Sequence, residues 1–431
     1  MTKNILIIGE LNDYIKSIKR HYSFTKGFGI ATGFSKISKC YYLTTGESKI
    51  YNNVELINIK LITIDFLENI DLILLIREFN ILEIMKQNKA LETIFLKENR
   101  KQIIGMKSDS LNWIFSHIYT IPFDILYNKN WFDFLINSFN FFCVQTEEYK
   151  QIGLNLIKRK RPNKYDNFKN KIFISRMGVF TDFPLNNNIQ SPYDINHTYC
   201  RDDFSKINND KALHPLCYTL RNINYTKGKG KKYNTQKIKI IYMGRIRTDG
   251  GKIAWMMRDI MKELGEDYEL HIFPGRFCIP NSNVSVFSSK YPSNLQILRD
   301  TIFFECKNVI IHFPFDDISK GKYLQFADIG LDFSSTRPHN KICPAGNAKL
   351  LEYCNYGLKV ITEKNVNNSY LVNNGKNGIL LKGIATVDDY VKGIKELVNM
   401  NYDRNFAINI TIKQQNWNII AQEMFNYIFL K

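Results

Sequence analysis

The chain has 431 residues, 44% of them hydrophobic and 13% aromatic, which is ample for globular cores and too long for one core alone. Its eight cysteines show no Cys-x-x-Cys or Cys/His spacing, which excludes a zinc ribbon and gives no disulfide framework. The net charge of +18 favours an anionic partner: a phosphorylated substrate, a membrane surface or nucleic acid.

Chain order begins with an apolar run, Asn4–Gly9, that reads as a buried parallel strand entering a turn rather than a secretory leader. No apolar run reaches the length of a membrane-spanning helix, so the expectation is a cytoplasmic protein, at most peripheral on a membrane. A Gly-rich stretch at Lys26–Gly33 lacks both the G-x-G-x-x-G and the G-K-[ST] spacing. Gly29 and Gly33 read there as an acceptor-side loop that lets a ligand approach the backbone, with a helix from Phe34 to Leu43 after it.

Further strands are predicted at Val54–Ile57, Asp71–Ile76, Gln102–Gly105 and Phe141–Val144, with helices at Ile81–Leu96 and Trp131–Phe139. This alternation predicts an α/β domain with a parallel sheet. Asp109, just beyond a strand, is the best-placed carboxylate for a general base on a hydroxyl acceptor, and it equally suits a helix N-cap. Lys158–Lys171 holds seven basic residues against the single Asp166. A strand and turn within Lys171–Pro184 close this half. The polar, basic stretch 185–236 is longer than an ordinary linker and reads as an insertion.

Regular alternation resumes with strands at Lys237–Met243, Glu269–Phe273, Val309–Phe313, Ile329–Phe333 and Leu358–Ile361, and a last helix over Asn409–Leu430. The expected division is 1–184, 185–236, 237–405 and 406–431. Beyond the strand ending at Gly244, Arg245, Arg247 and Lys252 cluster around a Gly-Gly turn, where cations neutralise a departing diphosphate. Arg276 follows the next strand in the same way. A helix starting near Asn347 offers unpaired N–H groups of Ala348 and Lys349 to a phosphate. Glu352, one turn on, suits a pair of hydroxyls. Phosphate beside a diol describes a nucleotide sugar. His117, His271, His312 and His339 are isolated, and no metal or other cofactor is expected.

Together these segments resemble glycosyltransferases of the GT-B fold, close to the retaining hexosyltransferases called family 4. The carriers of the likeness are 327–335, 347–362 (a Lys-Leu-x-Glu-Tyr helix before a Gly-x-x-Val-Ile strand), 242–252, 175–184, 371–381 and the terminal helix with Trp417. The resemblance implies two Rossmann-like α/β domains facing across a cleft. It implies an acceptor domain for 1–184, a nucleotide-sugar domain for 237–405 and a helix returning to the first domain for 406–431. It implies a hexose transfer from a nucleoside-diphosphate sugar to the hydroxyl of a glycan, a lipid-linked glycan or another acceptor. Glu352 would bind ribose, Ala348 and Lys349 a phosphate, and Arg245 or Arg247 with Lys252 the diphosphate. Two departures stand out. The first glutamate of the family's E-x7-E pair would fall at Pro344, and Lys252 lies seven residues after Arg245 rather than about five. A phage DNA β-glucosyltransferase of the same fold is a thinner likeness that would make DNA the acceptor. Pro344 also suits a sugar-nucleotide-binding protein that keeps the fold without transfer.

Overall fold

The computed structural model describes residues 2–9, 25–76, 81–97, 99–108, 123–179, 236–247, 252–278, 285–286, 302–303, 305–311, 323–333 and 348–430. The chain forms two compact units, one of 1–18, 22–180 and 414–431 and the other of 19–21 and 181–413. Asp109, Asn347, Pro344 and all of 185–235 lie outside the described residues.

The first unit is an eight-stranded sheet in the order β3-β4-β2-β1-β5-β6-β7-β8. The strands are β1 (Asn4–Ile8), β2 (Lys39–Thr44), β3 (Lys49–Tyr51), β4 (Val54–Asn58), β5 (Leu72–Ile76), β6 (Ile103–Lys107), β7 (Phe141–Val144) and β8 (Ile172–Ile174). All pairings are parallel except β3 with β4. Ile5, Leu6 and Ile7 are fully buried, as a central strand covered on both faces requires.

Three expectations for this unit are corrected. Lys26–Gly33 is no loop: Thr25–Phe34 is a helix, α1, so Gly29 and Gly33 sit inside it. Its glycines survive there because the C-terminal helix packs onto them. A Cβ on Gly29 would lie 2.2 Å from Trp417 Nε1, and one on Gly33 2.4 Å from the Trp417 carbonyl oxygen. The second half of the helix expected over Phe34–Leu43 is instead strand β2, whose Cys40, Tyr42 and Leu43 are buried to within 2% exposure. The helix expected over Ile81–Leu96 is two, Ile81–Gln87 and Lys89–Leu96. Asn88 divides them: its backbone is extended, its Oδ1 accepts from Leu91 N–H, and its Nδ2 donates to the Ile59 and Ile62 carbonyls.

The second unit is a seven-stranded sheet ordered β11-β10-β9-β13-β14-β15, with β12 also paired to β10. Its strands are β9 (Ile238–Arg247), β10 (Tyr268–Cys278), β11 (Ser285–Val286), β12 (Val309–Ile311), β13 (Ile329–Leu331), β14 (Lys359–Glu363) and β15 (Gly378–Leu381). All pairings are parallel except β10 with β11. Helices α2 (Lys252–Leu264), α3 (Ala348–Asn355) and α4 (Val387–Asn399) belong to this unit. Thr386 and Asp389 form a capping box at the start of α4. The core joins Ile240, Tyr242, Met257, Ile260, Leu270, Leu331 and Tyr390.

β9 and β10 outrun their expected ends. They stay paired from Tyr268 with Ile238 to Cys278 with Arg247, with one register shift between Pro274 and Phe277. The single terminal helix expected over Asn409–Leu430 is likewise two, Arg404–Gln414 and Trp417–Phe429. Asn416 caps the second, and Gln415 uses its carbonyl to accept from Val179 N–H at 2.8 Å.

Candidate active site

In an open parallel sheet, ligands gather at the carboxyl ends of the strands where the strand order reverses. In the second unit that point lies between β9 and β13, which pair only through Ile240 with Ile329 and Ile241 with Gly330. Beyond this short ladder Tyr353 of α3 inserts its hydroxyl. It accepts from Met243 N–H at 2.9 Å and faces the carbonyls of Ile241 (3.3 Å) and Leu331 (3.4 Å). Burial pushes the Tyr353 hydroxyl well above its usual range, so it stays a neutral donor. Gly330 makes room for the ring, since a Cβ there would come within 2.4 Å of it.

Two residues past Tyr242, Gly244 adopts φ +123°, a backbone that favours glycine. Among the described residues a Cβ there would come near Lys349 Cε alone, at 3.5 Å, and the positive φ by itself calls for glycine. Arg245 and Arg247 continue β9, Arg276 lies in β10, and Lys252 is the first residue of α2. Three of the four expected cations therefore sit on extended strand ends rather than in loops. Their side chains lie outside the described ones.

Helix α3 starts at Ala348, and the N–H groups of its first turn have no acceptor within the helix. Ala348 and Glu352 are four residues apart and share one face; Lys349 and Tyr353 share the next. Glu352 is only 3% exposed, unusual for a carboxylate. Lys349 reaches Asp332 at the end of β13, Nζ to Oδ1 2.7 Å, with its ammonium 4.4 Å from the Tyr242 ring centre. Asp332 also accepts from Thr362 Oγ1 at 2.7 Å, and Thr362 accepts from Asn368 Nδ2 at 2.8 Å. The Tyr390 hydroxyl donates to the Asp332 carbonyl at 2.8 Å.

Gly244, Ala348, Lys349 and Glu352 thus come from the two elements flanking the reversal point. Sequence reasoning missed Asp332, Thr362, Asn368, Tyr353 and Tyr390. An acidic residue within the apolar run Ile329–Phe333 was the available signal for Asp332. Gly29 and Gly33 lie inside α1, against the C-terminal helix, rather than on a loop. Among the described residues no cluster of His, Cys, Asp and Glu could hold a metal ion, and no helix is long and apolar enough to cross a membrane.

Two α/β units, each built on a mainly parallel sheet, with a C-terminal helix that belongs to the first, match the GT-B fold of glycosyltransferases. HepE of Anabaena, solved with UDP-glucose, superposes with a TM-score of 0.56 at 11% identity, covering 99% of this chain and all of that one. Sucrose-phosphate synthase of Thermosynechococcus elongatus gives 0.56 at 10% identity over 99% and 98% of the two chains. A glycosyltransferase from Rickettsia africae gives 0.54 at 11% identity over 99% and 97%. The likeness is one of fold. No family profile and no curated protein matches the sequence.

Proposed function

We propose that this chain is a glycosyltransferase that moves a hexose from a nucleoside-diphosphate sugar to a hydroxyl acceptor, a glycan or lipid-linked glycan in first place. One observation carries the reading: a buried carboxylate, Glu352, lies one turn into a helix at the reversal point of a GT-B second unit, and the Lys349 side chain of that helix lies beside Gly244 of β9. Glycosyltransferase neighbours across the whole chain support it, and HepE was solved with UDP-glucose.

In this reading Glu352 accepts the two ribose hydroxyls. N–H groups at the start of α3, from Asn347 to Lys349, hold a phosphate. Arg245, Arg247 and Lys252 neutralise the diphosphate as the bond from the anomeric carbon to its oxygen breaks. The acceptor oxygen bonds to that carbon and loses its proton, with Asp109 the carboxylate proposed to receive it. The cations supply the charge that a metal provides in other transferases, so the proposed reaction proceeds without one. The protein is proposed to act in the cytoplasm, with its basic surface free to meet an anionic membrane.

A thermal-shift screen of UDP-, GDP-, ADP- and dTDP-sugars tests the reading, because a ligand that binds the folded state stabilises it by RT ln(1 + [L]/Kd), more for the tighter binder at equal concentration. One donor family should raise the melting temperature, and Glu352→Ala should weaken it roughly a hundredfold through two lost charged hydrogen bonds. Equal affinity in the variant would remove Glu352 from the site. Donor binding without hydrolysis or transfer across an acceptor panel would favour the inactive binding protein. Duplex DNA retention that falls steeply with salt would move the acceptor to DNA.

A further inference from the structure

The ion pair between Lys349 and Asp332 is out of place as a stabilising device. A cation in the first turn of a helix opposes the helix dipole. A buried ion pair also brings little net stability over an apolar pair of similar volume, because both charges leave water. Here the side chains are 12% and 2% exposed. What the arrangement does accomplish is placement. Asp332 is itself fixed on its second oxygen by Thr362, which is held by Asn368, while Tyr390 bonds its backbone. The ammonium rests over Tyr242, with Lys349 Cε beside Gly244 of β9. Of its three N–H donors, Asp332 takes one; among the described residues its remaining partner is the Tyr242 ring.

We infer that the Lys349 side chain, beyond its backbone, is a ligand of the donor's diphosphate, and that Asp332 is the positioning residue that aims it. The inference rests on the nucleotide-sugar reading of the same site. It assigns α3 a cation of its own, acting from the side of the sheet opposite α2, so that the diphosphate meets positive charge from both elements flanking the reversal point. Asp332 keeps the long, flexible lysine from swinging into solvent before the donor arrives, which lowers the ordering cost of binding.

The test is calorimetry and competition with UDP, GDP, ADP and dTDP and with the parent nucleoside of whichever binds the wild-type protein best. Lys349→Met should weaken the diphosphate about tenfold to a hundredfold and leave the nucleoside nearly unchanged. It should also flatten the salt dependence of diphosphate binding. Lys349→Arg should recover most of the affinity. Asp332→Asn should weaken the diphosphate several-fold in the wild-type background and have no effect in Lys349→Met, since it acts only through the ammonium. If the lone buried carboxylate unfolds Lys349→Met, the double variant Asp332→Asn, Lys349→Met removes both charges and carries the same comparison.

Equal losses for nucleoside and diphosphate would make the pair structural and overturn the inference. So would an unchanged diphosphate affinity in Lys349→Met. An Asp332→Asn effect that persists without Lys349 would overturn the positioning role. A wild-type protein that binds none of the four nucleotides would overturn the nucleotide-sugar reading, and this inference with it.

Discussion

Helix α1 of the first unit and strand β9 of the second each carry glycines, and the glycines serve different ends. In the first unit Gly29 and Gly33 lie inside a helix, and the space their missing side chains leave is filled by Trp417 and Ala421 of the C-terminal helix. In the second, Gly244 takes a positive φ within β9, and among the described residues a Cβ there would come near one side chain, Lys349, at 3.5 Å. The first pair of glycines is about packing; Gly244 is about backbone conformation within β9. Glycine near a first strand is thus not by itself a ligand signal. What separates the cases is whether the glycine answers a packed neighbour, as at Gly29 and Gly33, or a positive φ, as at Gly244.

Mutations break this comparison in a graded way. Trp417→Ala should destabilise the first unit most, by about 3–5 kcal/mol in chemical denaturation, because it empties a buried site touching Gly29 and Gly178. Donor affinity should survive it under native conditions; a large loss there would link that helix to the donor site. Gly33→Ala should cost less, about 1–3 kcal/mol, since its Cβ would press on the Trp417 carbonyl and on Ala421. A variant as stable as the parent, with altered acceptor kinetics, would restore Gly33 to an acceptor role.

The smallest effect separates the units by pH. Burial holds His271 of β10 below its ordinary value of 6.5, against the opposing pull of Glu269, whose Oε2 lies 3.5 Å from Nε2. A depressed pKa means that the unfolded chain takes up the proton first. Stability present above pH 6.5 is therefore lost as pH falls toward the folded value, at up to about 1.4 kcal/mol per pH unit. His271→Gln should flatten the stability of the second unit between pH 7 and 5, and an unchanged slope would exclude this histidine as its origin.

Much of the scaffold was legible because buried parallel strands announce themselves as short apolar runs. Asn4–Ile8 and Phe141–Val144 are examples, found where the sequence pattern put them. Lys39–Thr44 was misread as helix because its polar approach, Ser35–Lys39, mimics an amphipathic face, and only the pairing with β1 and β4 makes it a strand. The extra lengths of β9 and β10 were hidden by Gly244, Pro274 and Gly275, which usually end strands and here sit beside a register shift. Within the candidate site, the run from Ala348 to Glu352 could be read from its spacing. The network behind it could not, because Asp332, Thr362 and Asn368 meet only through the order of β13 and β14 in the sheet.

Hydrogen–deuterium exchange with and without the best-binding nucleoside diphosphate tests the central claim most directly. The account predicts protection at 244–247 and 348–355, at the carboxyl end of β9 and the start of α3, with Thr25–Phe34 unchanged. Protection centred on Thr25–Phe34, or none at either second-unit segment despite saturating ligand, would contradict it.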